Sequence, residues 1–157
     1  MGSASWRRCL TIHSSRRRFA ARLNSSVRRV VNDSRQIEIW NRAATDYGGP
    51  TPAAGDRALA AVLLAHGIVM NGGVAHAREV LSQEQLTAAV SGFHYFGIPA
   101  AAEALSQSLA DTDEASDAAD QAYWHAVPGD DMLGRAFRNK LLSAPEAFAP
   151  IVGGPHA

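Results

Sequence analysis

From Asp33 onward, apolar residues return every three or four positions, and their runs are separated by Gly, Pro or acidic residues. That period puts apolar side chains on one face of a helix, so the pattern predicts helices and no strand. Asp33 or Ser34 caps a first helix carrying Ile37, Trp40, Ala44 and Tyr47. "YGGPTPAAG" ends it, because Gly48, Gly49, Pro50 and Pro52 cannot continue a helix. Asp56 opens the next helix, through Leu59, Val62, Leu63, His66 and Met70. Its apolar residues surround the axis, which places it at the centre of a bundle.

Asn71-Gly72-Gly73 follows Met70 directly and reads as a helix stop, with glycine supplying the left-handed conformation that lets terminal carbonyls find donors. "VAHAREVL" is then a short helix. Ser82 caps another, with Gln85 as its capping-box partner, carrying Leu86, Ala89, Val90, Phe93 and Phe96. In "FGIP", Gly97 stands past the end, Ile98 follows, and Pro99 starts a helix through Ala101, Leu105 and Leu109. After the acidic "DTDEASD", residues 114–127 form a helix carrying Ala119, Ala122, Tyr123 and Ala126. Asp130 caps a last one with Leu133, Phe137 and Leu141, and Pro145, Phe148 and Ile151 fold back on the core. The expectation is an all-α, irregular bundle of six or seven short helices, without a fixed-period repeat.

Composition strengthens the helical reading. Alanine accounts for 30 of 157 residues, and it is the best helix former. One cysteine, Cys9, excludes an internal disulfide and a multi-cysteine zinc site. No stretch approaches the ~20 apolar residues of a membrane-spanning helix, and the most apolar run, Ala58 to Met70, is interrupted by His66.

Charge divides the chain. Residues 1–35 hold nine arginines against one acid, Asp33, for a net +8; residues 36–157 hold fourteen acids against six bases, for −8. We therefore separate a basic arm, 1–32, from a single helical domain, 33–157. In the arm, Phe19, Leu23, Val27 and Val30 recur at helical spacing among arginines. Such a stretch suits an organelle-targeting peptide, a contact with anionic membrane or nucleic-acid phosphates, a disordered tail, or translated sequence upstream of the true start. Without the targeting reading, the location expected is cytoplasmic.

Four pieces of the body carry a resemblance: "LAHGIVMNGGVAHA", "AAVSGFHYFGIPAAAEAL", "DQAYWHAVPGDDMLGRAF" and "APEAFA". Their order resembles a bacterial domain family of unknown function named for a DNA-mimic protein (DMP-like), over residues 55–150. The family pieces that match are Asn71, Gly72, Gly73 and Gly97, with helix-ending roles. The resemblance implies an acidic surface that imitates DNA phosphates and occupies a DNA-binding regulator. The acids available for it are Asp111, Asp113, Glu114, Asp117 and Asp120, with Asp130 and Asp131 nearby. A solvated loop and helix start explains the same acids, since they suit the positive end of a helix dipole.

Catalytic signatures are missing. The chain has no G-x-S-x-G elbow, no HExxH and no phosphate loop, for "GGPTPAAGD" lacks the lysine. His76 and Glu79 share a face, but one such pair is too few for a metal site. Two readings follow. The first is a non-catalytic module that binds a protein partner, a DNA-binding regulator in the mimic version, with no cofactor, no metal and no direct nucleic-acid contact by the body; a homodimer is compatible. The alternative is a small ligand-binding or enzymatic domain with a pocket near Asn71, His76 and His94.

Overall fold

The computed structural model describes residues 33–107, 110 and 112–151. The chain divides into two units, Met1–Ile37 and Glu38–Ala157. Among the described residues it is all-α, with six helices and no strand: α1 over 33–45, α2 Ala54–Val80, α3 Gln83–Tyr95, α4 Pro99–Ser106, α5 Asp113–Ala126 and α6 Asp130–Ser143. A 3-10 turn, Pro145–Ala147, follows α6.

Helix α2 is the axis of the second unit. It packs along α3 and α5 and also meets α4 and the 3-10 turn. Leu59, Val62, Ala65, Val69, Val74 and Ala77 on it are buried against Phe93, Ala101, Leu105 and Tyr123. Small residues set the spacing. A Cβ on Gly92 would lie 2.8 Å from the Ala58 carbonyl oxygen, so α3 crosses α2 at near-backbone contact. A Cβ on Gly55 would lie 2.7 Å from the ring of Phe148, which explains how the C-terminal segment closes on the start of α2. Phe148 is edge-on to Phe137 of α6, and Phe137 in turn meets Trp40 of α1.

By length and composition alone, α2 qualifies as a membrane-spanning helix. Its buried polar residues, Asp56 and His66, find their partners on α1, α5, α6 and the C-terminal segment. Asp56 is wholly buried and accepts from Arg42 at 2.7 Å, from the Ala53 amide at 3.0 Å and from the Ala149 amide at 2.7 Å. Arg42 also donates to the carbonyls of Ala149 and Pro150. One ion pair thus ties α1, α2 and the chain's last described residues together.

The capping box at Ser82 and Gln85 forms in both directions. The end of α3 is a complete Schellman motif: Gly97 has φ +74, its amide donates to His94, and the Ile98 amide donates to Phe93 at 2.8 Å. Elsewhere the ends differ from the sequence reading. Helix α1 stops at 45, and Tyr47 stands outside it with φ +47 and 72% of its surface exposed. Asp56 is the third helical residue, capping from inside α2, with Ala53 at the N-cap. Met70 is exposed, not central. Helix α4 ends at Ser106, and Leu109 lies outside the described residues. Helix α5 begins at Asp113, where the Thr112 hydroxyl accepts from the Ala115 amide. Gly129 is the N-cap of α6; Asp130 is already helical, and its carboxylate is committed elsewhere.

The Asn71-Gly72-Gly73 stop takes the form of a kink. Helical geometry fails at Gly73 (φ 81, ψ 178), so Ala54–Val80 is two helical segments that meet there, as the sequence reading placed them. That ψ is extended instead of left-handed helical, in a region open essentially to glycine.

Candidate functional site

The kink leaves the amides that begin the second half of α2 without intrahelical acceptors. Asp120, one turn before Tyr123 on α5, supplies one: its Oδ1 accepts from the Val74 amide at 2.6 Å. A Cβ on Gly73 would lie 2.5 Å from the other carboxylate oxygen. The turn therefore holds an anion of the protein's own, and Gly73 is required for conformation and for room. Asn71 turns back to donate to the Gly67 carbonyl at 2.6 Å, and Gly72 lies against the His76 ring.

A second polar cluster sits deeper. His66 is buried on α2 between Tyr123 of α5 and Asp130 of α6. Its Nδ1 is 2.9 Å from the Tyr123 hydroxyl and its Nε2 is 2.9 Å from Asp130 Oδ1. An ionised carboxylate only accepts, so with neutral imidazole the proton belongs on Nε2 and Tyr123 donates to Nδ1. Burial agrees with that direction. Tyr123 is 0% exposed, and desolvation pushes its hydroxyl well above the ordinary 10.0, keeping it protonated. The Tyr123 ring also stacks against His66 and stands edge-on to Phe93.

An acid, an imidazole and a hydroxyl in series form a proton-relay geometry. Here the hydroxyl end is closed: no surface of Tyr123 reaches solvent, His66 is almost wholly covered, and Asp130 is 83% exposed. The arrangement joins three helices and offers no face to a substrate. His66 was legible only as a polar residue one turn from Val62 and Val69 on an apolar helix, a position that demands buried partners.

Six of the seven acids singled out from the sequence are described, and they separate into two groups. Asp120 and Asp130 bond inward, as above. Asp113, Glu114, Asp117 and Asp131 are exposed and form no ion pair among the described residues; Asp111 lies outside them. The first three lie on the solvent side of α5, whose core side is Ala119 and Tyr123. Gln121 and the 39%-exposed Trp124 continue that side toward the helix end.

The alternative pocket is not assembled as a cavity. Asn71 lines an apolar groove of about 360 Å³ between α1 and α2, with Ala43, Tyr47, Leu63 and Ile68. His76 and His94 are exposed and line none of the three main cavities. No group of three His, Cys, Asp or Glu side chains is placed to hold a metal among the described residues. Gly97 does its work in the α3 cap.

No family model, no curated protein and no solved structure matches this chain.

Proposed function

We propose that this protein is a non-catalytic helical interaction module that receives a basic partner on the outer side of α5, in the manner of a protein that occupies a DNA-binding regulator. One observation supports the reading above others: Asp113, Glu114, Asp117 and Trp124 are exposed together on one helix, with no ion pair among the described residues to neutralise the acids. At 1.5 Å of rise per residue, Asp113 and Asp117 stand about 6 Å apart along the axis, and Trp124 lies about 10 Å further on. A row of carboxylates steers a cationic partner, and a half-exposed tryptophan is the side chain best suited to anchor it.

The DNA-mimic version therefore rests on fewer acids than the sequence offers, since Asp120 is committed to the Val74 amide and Asp130, though exposed, to the His66 ring. The test is capture from native lysate by the full chain, eluted with salt. Asp113→Lys with Asp117→Lys should abolish capture of a DNA-binding protein that wild type releases at moderate salt, because screening weakens exposed charge pairs. Trp124→Ala should weaken capture without changing its salt dependence. Retention of the partner by the double charge reversal removes the proposal. Asp120 is left untouched, since reversing it would break the α2 kink.

A further inference from the structure

The six bases of residues 36–157 divide evenly between two roles. Arg42 pairs with Asp56, Arg57 donates to the Pro52 carbonyl, and Arg78 donates to the Leu105 carbonyl, closing α2 onto the end of α4. The other three, Arg135, Arg138 and Lys140, all stand on α6, and none forms an ion pair among the described residues. Two of these, Arg135 and Lys140, line the same cleft.

That cleft lies between the α3–α4 turn and α6 and has a volume of about 650 Å³, within the range that holds a small organic ligand. Its apolar wall comes from Phe96, Ile98, Met132 and Ala136. Asn139 and Ser143 add neutral polar groups, and no carboxylate lines it. The Lys140 ammonium sits 4.1 Å from the centre of the Tyr95 ring, which holds the cation at the cleft without neutralising it. Burial and the charge of Glu146 raise the Tyr95 hydroxyl above its ordinary value, so it remains a donor. Helix α4 starts at the rim without a side-chain cap, and its N-cap Ile98 is a lining residue. The positive end of that helix adds to the same field.

Two cations over an apolar wall, in a unit of net −8, are a poor surface for general solvation and a good one for an amphipathic anion. We propose that this cleft binds a small organic anion, a carboxylate or similar acidic head on an apolar or aromatic body, with Arg135 and Lys140 holding the head. The site is separate from the outer side of α5, and either can fail without the other.

The probe is 1-naphthoate, titrated into the full chain and followed by amide NMR, with 1-naphthalenemethanol and acetate as the body and head alone. Saturable shifts centred on Gly97, Ile98, Ala136 and Asn139 are expected, with naphthoate binding at least tenfold more tightly than either fragment. Arg135→Gln with Lys140→Gln should weaken naphthoate at least tenfold. Asn139→Trp, which fills the cleft and keeps the charge, should do the same. These positions are wholly or partly exposed, so the fold is retained, and a thermal melt checks it. Arg16→Gln, Arg17→Gln and Arg18→Gln together should leave the affinity unchanged. Shifts centred elsewhere, no saturation, indifference to Asn139→Trp, or loss caused by the arm variant would each overturn the proposal.

Discussion

Two buried polar centres hold this bundle, and they are built on opposite principles. Around Asp56, a fully desolvated carboxylate is enclosed by Arg42 and two backbone amides. Around His66, the buried partner is the Tyr123 hydroxyl, and the carboxylate, on Asp130, stays in water. Burying an ion costs several kcal/mol unless every remaining site is paired, so the first centre is stable only when complete. The second never pays that desolvation, and it tolerates change at its wet end. Even the closed centre has one loose atom, for the Arg42 Nε is buried without a partner.

The largest effect should come from breaking the closed centre. Asp56→Ala leaves Arg42 and two amides unpaired and should cost about 3–5 kcal/mol in urea unfolding. Asp56→Asn, which keeps an acceptor, should cost clearly less; equal losses would mean that the charge contributes nothing. Next comes Gly73→Ala. It combines a forbidden backbone region with a collision against Asp120, and a loss of about 1–3 kcal/mol is expected from the backbone alone. Tyr123→Phe removes the donor to His66 and should cost about 1–3 kcal/mol by leaving a buried ring nitrogen unsatisfied. Asp130→Asn, at the wet end, should cost no more than about 1 kcal/mol. If Asp130→Asn proved as costly as Asp56→Ala, the contrast between the centres would collapse.

Alkaline pH sharpens the same contrast. Tyr123 and Tyr95 are both raised above 10.0 in the folded chain. Below that value both states keep the proton, and stability does not depend on these groups. Above it the unfolded chain releases protons first, so stability falls as pH rises from 10 toward the folded values. Tyr123→Phe should flatten most of that slope in pH-dependent melts, leaving the smaller part due to Tyr95.

Helix content and several ends were legible because their determinants are local. The Ser82–Gln85 box contains both the cap and the groups it satisfies, and the Gly97 and Ile98 amides reach carbonyls only three to five residues back, at His94 and Phe93. The acids were less legible. Asp113, Glu114, Asp117, Asp120, Asp130 and Asp131 look equivalent along the chain, yet Asp120 bonds an amide 46 positions earlier and Asp130 a ring 64 positions earlier. The same holds for the bases, where identical side chains on α1 and α6 close the fold in one case and line an open cleft in the other.

The sequence by itself determined that residues 33–151 would be helical and, through Gly, Pro and short polar caps, nearly where the helices begin and end. Periodicity and capping act over three or four residues, so they can be read without knowing what lies across the core. Only the tertiary structure decided what satisfies the chain after Asn71-Gly72-Gly73, because the amide freed at the kink donates to Asp120 of another helix. It likewise decided which charges face inward. A buried polar group is stable only beside its partner, and that partner is chosen by the packing of helices distant in sequence.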